Sequence, residues 1–373
     1  MPEAGKPAQR LAAIPREIAA VVDYERFSRA CLDDNAWAYL HSAAADELSW
    51  RWNREAYDRL RILPRVLRDV TAGHTRCSLP GLELAHPILL APVAWQKLFH
   101  PDGERASAYA AAALDTGLVL STLSSYTLEE VAAVGAGPRW FQLYLQPDRG
   151  VSRALVERAE RAGYSGIVFT IDAPLNGVRN REHRAGFQLP PGIDSANLRG
   201  APAPVRPALG EHDSAVFQGL MREAPTWRDV EWLSGITRLP VILKGVLHPE
   251  DARIAADLGA AGLIVSNHGG RTLDTLPPAL EMLPAMADAV GDRVALLLDG
   301  GIRRGSDVFK AIALGARAVL VGRGYIHALA AAGPLGVAHV IRLLRDELEV
   351  AMALAGCATL ADIGPQALLA APR

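Results

Sequence analysis

From Ile88 onward the chain alternates short, unbroken apolar runs with Ala-, Glu- and Arg-rich stretches of helical character. The runs are ILLAPV (88–93), LVLST (118–122), WFQLY (140–144), GIVFTID (166–172), PVILKG (240–245), GLIVSN (262–267), ALLLDGG (295–301) and AVLVGRG (318–324). Runs that are continuous rather than alternating read as parallel strands buried on both faces. Eight of them, each followed by a helical pattern, predict a (β/α)8 TIM barrel. The competing layout, a doubly wound open sheet, would carry G-x-G-x-x-G after an early strand, and none follows the first run. Three helical stretches, about 20–31, 33–41 and 47–60, precede the barrel, and Pro64 stops the last. Residues 187–226, between the fourth and fifth runs, are proline-rich with few periodic apolar positions. They read as a long, lid-like loop over the barrel mouth, since structureless loops of this length are usually functional or disordered. The expected organisation is one domain over 23–373, with a helical appendage at 23–65 and a poorly ordered extension at 1–22.

Composition narrows the class. Of 373 residues, half are hydrophobic and 21% charged, with a formal net charge of −2, which excludes a disordered chain. Thirty-nine Lys and Arg against 41 Asp and Glu leave no excess for phosphate neutralisation, so nucleic acid is not an expected partner. No apolar run is expected to reach the roughly 18 residues of a spanning helix, and no membrane is expected as a partner. Residues 1–17 lack the apolar core of a signal peptide. Cys31, Cys77 and Cys357 are too far apart for a disulfide framework or a zinc pattern, so no metal is expected and the chain reads as cytoplasmic.

In a barrel of this type the reacting groups sit at the C-terminal ends of the strands. Here those ends are polar: Ser121 to Ser125, Gln142 and Tyr144, Thr170 and Asp172, Lys244, Ser266 to Arg271, Asp299 to Gly301, and Gly322-Arg323. Asp299-Gly300-Gly301-Ile302-Arg303 and Gly322-Arg323-Gly324 put glycines and basic side chains after the last two strands, a frequent phosphate position in such barrels. Lys244, further round the rim, suits a flavin, whose reduced ring a nearby cation stabilises.

The run Ser266-Asn267-His268-Gly269-Gly270-Arg271-Thr272-Leu273-Asp274 resembles the hallmark stretch of the FMN-dependent 2-hydroxy acid oxidases and dehydrogenases. The resemblance extends to Ala91–Lys97, Thr122–Ser125, Phe141–Tyr144, Leu243–Val246 and Leu298–Gly305, and covers roughly residues 23–355. It implies FMN as cofactor and oxidation of an (S)-2-hydroxy acid to the 2-oxo acid. His268 would be the base and Asp172 the holder of its ring. Arg179 and Arg271 would clamp the carboxylate, and Tyr144 and Tyr39 would hydrogen-bond the substrate oxygens. The flavin shell would comprise Pro92, Val93, Ala94, Ser124, Gln142, Thr170, Lys244 and Ser266. Asp299, Gly301, Arg303, Gly322 and Arg323 would take the ribityl chain and phosphate. The acceptor would be O2 for an oxidase, or a quinone or cytochrome for a dehydrogenase. Residues 187–226 are neither strongly apolar nor basic, unlike a membrane-docking insert, which favours O2. The resemblance also implies a homo-oligomer, a tetramer. Hydride transfer and a carbanion route would use the same residues. Within the family, local likeness to actinomycete 4-hydroxymandelate oxidases, with Trp95 and Tyr126 as aromatic walls and Asn176 opening space, favours a mandelate-like substrate, with L-lactate or glycolate as the alternative.

Overall fold

In a computed structural model, which describes residues 9–202 and 208–370, eight parallel strands close into one barrel in chain order. They are Ile88–Leu90, Gly117–Ser121, Arg139–Leu143, Ile167–Thr170, Val241–Val246, Gly262–Val265, Ala295–Asp299 and Ala318–Val321. The eighth pairs back onto the first through Leu320↔Leu89. The unbroken apolar pattern has a direct cause. Leu89, Val119, Trp140, Val168, Ile242, Ile264, Leu297 and Leu320, one from each strand, fill the barrel interior. Their neighbours, such as Leu90, Leu120 and Leu298, pack outward under the helices. A hairpin that the sequence pattern did not reveal, Cys77–Leu79 with Leu82–Leu84, is antiparallel and adds Leu79, Leu82 and Leu84 to the interior cluster. Trp140 Nε1 donates to the Pro80 carbonyl (3.1 Å) and ties the hairpin to the third strand.

The three early helices form at Tyr24–Cys31, Asp34–His41 and Leu48–Asp58. The first begins later than the pattern suggests because Asp23 accepts the Ala19 and Ala20 N–H groups (3.0 and 2.8 Å) and holds a separate turn at Val21–Asp23. Asp33 caps the second by accepting the Ala36 N–H at 2.7 Å, as a helix N-terminus requires. The expectation of a poorly ordered extension over 1–22 is corrected for residues 9–22; residues 1–8 lie outside the described residues. Ile18 and Val21 are buried, Leu11 N–H donates to the Ala331 carbonyl (2.8 Å), and Arg10 donates to the Phe99 carbonyl (3.1 Å).

The helix Leu48–Asp58 is tied to two strand ends. Asp274 accepts the Ser49 and Asp46 N–H groups (2.9 and 3.0 Å). Arg54 pairs with the buried Asp307 and donates to the Gly301 carbonyl (2.9 Å). These bonds make the N-terminal helices part of the rim rather than an appendage beside it.

The segment Arg323–Ala355 also departs from expectation. It is long and apolar enough to cross a membrane by length and composition, contrary to the expectation from run length. It is two helices joined at Ala332 and Gly333, whose backbone is not helical, and 67% of its most apolar window is buried inside the protein. Between the fourth and fifth strands, a helix at Asn180–Ala185 is followed by short turns at Ala196–Leu198, Ala215–Gly219 and Leu220–Glu223 and by a second helix at Trp227–Ile236. Residues 203–207 of the expected loop lie outside the described residues.

Candidate active site

The C-terminal ends of the strands surround a cavity of about 880 Å³. It is lined by Tyr39, Tyr144, Arg179, His268 and Arg271. Pro92, Val93, Ala94, Thr170, Lys244, Asp299, Gly301, Arg303, Gly322 and Arg323 line it as well, and Arg271 and Arg323 both donate to the Ser42 carbonyl (2.8 and 2.7 Å). Asp172 stands behind His268: the His268 Nδ1 and Asp172 Oδ1 atoms are 2.9 Å apart.

His268 lies just past the sixth strand in the left-handed region (φ 56°), a conformation uncommon for a residue with a Cβ and concentrated at functional positions. Its own N–H donates to Ser266 Oγ (2.9 Å), and its Nε2 faces the Tyr144 hydroxyl at 3.5 Å. Burial pushes the imidazole below its ordinary value, and the Asp172 carboxylate offsets part of that. Burial would push Asp172 up, but the His268 ring and Lys244 outweigh it and hold the carboxyl below its usual range. Burial raises Tyr39 and takes Tyr144 up to about 12, so both phenols remain proton donors at neutral pH.

Two glycines permit this geometry. Gly245 (φ 104°) marks a bulge between the fifth and sixth strands, and a Cβ there would lie 2.3 Å from the Asp172 carboxyl carbon. Gly270 (φ 75°) lets the loop meet the helix Leu48–Asp58, because a Cβ would lie 2.7 Å from the Trp50 backbone nitrogen. The same contact is sealed by a reciprocal amide pair between Asn53 and Asn267 (2.8 and 2.9 Å).

The two arginines converge on Glu182, which the sequence reading did not single out. Arg271 Nη2 donates to Glu182 Oε1 at 2.9 Å, and Arg179 Nη1 lies 3.4 Å from Oε2. Arg271 also donates to the carbonyls of Tyr39 and Ser42 (2.9 and 2.8 Å) and lies over the Tyr39 ring. Arg179 Nε is buried without a partner among the described residues. Burial and the adjacent Arg179 charge disfavour the Arg271 cation, with Tyr39 and Glu182 acting the other way. Two guanidinium groups against one carboxylate leave a net positive charge where a second carboxylate would be stabilised.

The remaining lining residues fit a flavin mononucleotide. Lys244 Nζ, fully buried, lies 3.3 Å from Asp299 Oδ2 and donates to Ser266 Oγ (3.1 Å). Burial opposes its charge, but Asp299 and Asp172 hold its pKa above the ordinary value, so it stays cationic. Asp299 Oδ1 is buried with no partner among the described residues, an acceptor that a ribityl hydroxyl would satisfy. Burial and the neighbouring Arg271 charge bring Arg323 down to about 9. An anion beside it would reverse that destabilisation, as a phosphate would.

Three expected shell residues are placed differently. Ser124 does not line the cavity; it donates to the Tyr126 carbonyl (2.6 Å) and accepts from Asn197 (2.9 Å). Ser121, the last residue of the second strand, lines the cavity instead. Gln142 stands one layer back, donating to Thr170 Oγ1 (3.0 Å), and Ser266 supports Lys244 and His268 from behind. Tyr126 is also corrected: its hydroxyl donates to the Pro101 carbonyl (3.1 Å), its ring lies under Lys97, and it is not part of the cavity wall. Trp95 and Asn176 do reach the wall, and Phe187, Leu220 and Pro225 bring both ends of the long loop to it.

Comparison with known proteins agrees with this geometry. Residues 28–370 match the FMN-dependent dehydrogenase family. The chain is 54% identical over 352 residues to an L-lactate oxidase of Alicycliphilus denitrificans, covering 94% of this chain and 96% of the relative. It is 44% identical to glycolate oxidase 1 of Zea mays, covering 93% of this chain and 94% of the relative. Among solved structures, a mandelate oxidase mutant with (S)-mandelic acid superposes with a TM-score of 0.85 at 44% identity, covering 94% of this chain and 98% of that one. Another mandelate oxidase mutant, with a C4a-OH-FMN adduct, gives a TM-score of 0.83 at 45% identity over 91% of this chain and 97% of that one. The chain therefore belongs to the FMN-dependent dehydrogenase family, as an FMN-dependent 2-hydroxy acid oxidase.

Proposed function

We propose that this enzyme oxidises a short aliphatic (S)-2-hydroxy acid, L-lactate foremost, to the 2-oxo acid, and that O2 is reduced to H2O2. The observation that carries this reading is the convergence, in one cavity, of the His268–Asp172 pair with Arg179 and Arg271. Arg271 and Arg179 bind the substrate carboxylate, which fixes the 2-hydroxyl near His268 Nε2 and the Tyr39 and Tyr144 hydroxyls. Neutral His268 accepts the hydroxyl proton at Nε2, and Asp172 orients the ring and stabilises the imidazolium that results. Bound FMN supplies the acceptor for the two electrons and the Cα hydrogen.

The preference for a short side chain rests on the wall and on the relatives. Tyr39 stacks on Phe187 (4.9 Å, 21°) and packs against Trp95 (5.6 Å), so the rings are spent on one another. Tyr126, which would have widened the aromatic surface, faces elsewhere. The relatives at 54% and 50% identity are named L-lactate oxidases. Steady-state assays should therefore give kcat/KM for L-lactate at least about tenfold above (S)-mandelate, a difference of roughly 1.4 kcal/mol. A preference for mandelate would return the pocket to an aryl acid and leave the chemistry standing. H2O2 should form mole for mole with the 2-oxo acid; turnover with dye acceptors alone would make the enzyme a dehydrogenase.

The pH dependence follows from His268. Because its pKa is lowered below the ordinary 6.5, the ring is already neutral at pH 7. The rate of substrate-dependent flavin bleaching should be level through neutral pH and fall only as acid protonates the ring. An acidic limb centred above pH 7 would mean that another group is the base.

A further inference from the structure

The cavity that Arg303 and Arg323 line is also lined by two histidines that the chemistry above does not use, His41 and His327. The His41 ring is held on several sides. It stacks on Trp37 (4.6 Å, 14°), meets Trp50 edge-on (5.3 Å) and stands 6.3 Å from His327. His327 is engaged through its Nδ1 with Ser28 Oγ (2.6 Å). His41 makes no such bond: its Nδ1 is buried without a partner among the described residues. A proton on that nitrogen would be a buried, unsatisfied donor, a costly arrangement. The neutral tautomer therefore carries its proton on Nε2, the ring nitrogen left for the cavity.

The charges facing this ring are Arg181, Arg323 and Arg303, against Glu47. Burial, then Arg181 and Arg323, bring His41 down to about 4, and burial brings His327 to about 3. Both are neutral at physiological pH. The result is an oriented, uncharged N–H donor near Arg323 and Arg303, the latter paired with Glu25 (3.2 Å), where the cavity is expected to take the phosphate.

We propose that His41 recognises the cofactor phosphate: its Nε2–H donates to a phosphate oxygen beside Arg303 and Arg323, and so helps the site select FMN over riboflavin. Trp37 and Trp50 fix the plane of the ring, so the donor is positioned before the cofactor arrives. A hydrogen bond to a charged group contributes more than one between neutral groups, and the effect belongs to the phosphate alone.

The test uses apoprotein titrated with FMN and, separately, with riboflavin, followed by flavin fluorescence. His41→Phe keeps a ring to stack on Trp37 and removes the donor. It should raise the FMN dissociation constant about tenfold or more while leaving that of riboflavin unchanged. His41→Gln retains a donor of similar reach and should recover most of the loss, whereas His41→Met, of similar length, should not. The Gln and Met pair decides the matter even if the Phe variant fails to fold. Equal weakening of both flavins would make His41 a packing residue, and an unchanged FMN constant would remove it from the phosphate site; either result overturns the proposal.

Discussion

His268→Ala and His268→Asn should each yield a yellow, FMN-loaded protein whose flavin is bleached by substrate at least about 10²–10⁴-fold more slowly than wild type, the range for loss of a general base. The reason is local. The His268 Nδ1 is committed to Asp172 at 2.9 Å, and its Nε2 is left facing the site. Tyr144, its nearest neighbour there, has its phenol pushed up to about 12 and cannot serve as base at neutral pH. The flavin should remain because His268 stands at the edge of the cradle that Lys244, Asp299 and Arg323 define. Anaerobic stopped-flow at 450 nm measures the effect directly. Near-normal bleaching in both variants would remove His268 from the role.

The second large effect is expected at Arg271. Arg271→Lys should lower kcat/KM by about 30- to 5,000-fold, equivalent to the roughly 2–5 kcal/mol lost when a buried, hydrogen-bonded charge pair is truncated. The guanidinium divides its donors among Glu182, Tyr39 and Ser42, and a lysine ammonium cannot span that fork. Glu182 would then lie buried beside a cation it no longer meets. Arg179→Lys should do less, since Arg179 makes only longer contacts to Glu182 (3.4 and 3.5 Å). A methyl ester of the substrate separates the carboxylate clamp from mere loop damage. It should react poorly with wild type and no worse with Arg271→Lys; an ester that wild type oxidises as well as the free acid would refute the clamp.

How far the sequence could be read follows from what kind of interaction placed each residue. The eight strands were legible because burial on both faces leaves no polar position in a run such as Val241–Leu243, and periodicity reports burial directly. His268, Asp172 and Arg271 were legible because they follow strand ends, and Lys244 because it is the one charged residue within the apolar run of the fifth strand, Val241–Val246. The plugging hairpin was not, since three-residue strands carry too short a pattern to distinguish from loop. Glu182 was missed because its position depends on two arginines, one 89 residues away in the chain, and an isolated glutamate in a charged helix reads as solvated. Ser124 was preferred to Ser121 for a related reason. Past the last strand residue, turn geometry rather than strand alternation decides where a side chain points, and here it turned Ser124 towards Asn197. Tyr126 went astray in the same loop. The N-terminal segment was misjudged because its partner, the helix starting at Arg323, is the last long element in the sequence.

That pairing of distant segments also governs when the enzyme acquires its cofactor. The pocket needs Tyr39 and Asn53 from the first helices and Gly322 and Arg323 from the end of the eighth strand, so almost the whole chain must have left the ribosome before a complete site exists. Contacts of such sequence separation form late and slowly. FMN, binding only the closed barrel, adds its binding free energy to that final state in proportion to its free concentration. Flavin supply during expression should thus govern the yield of soluble enzyme as well as its colour, and cofactor-starved cells should accumulate chains that proteases still recognise as unfinished.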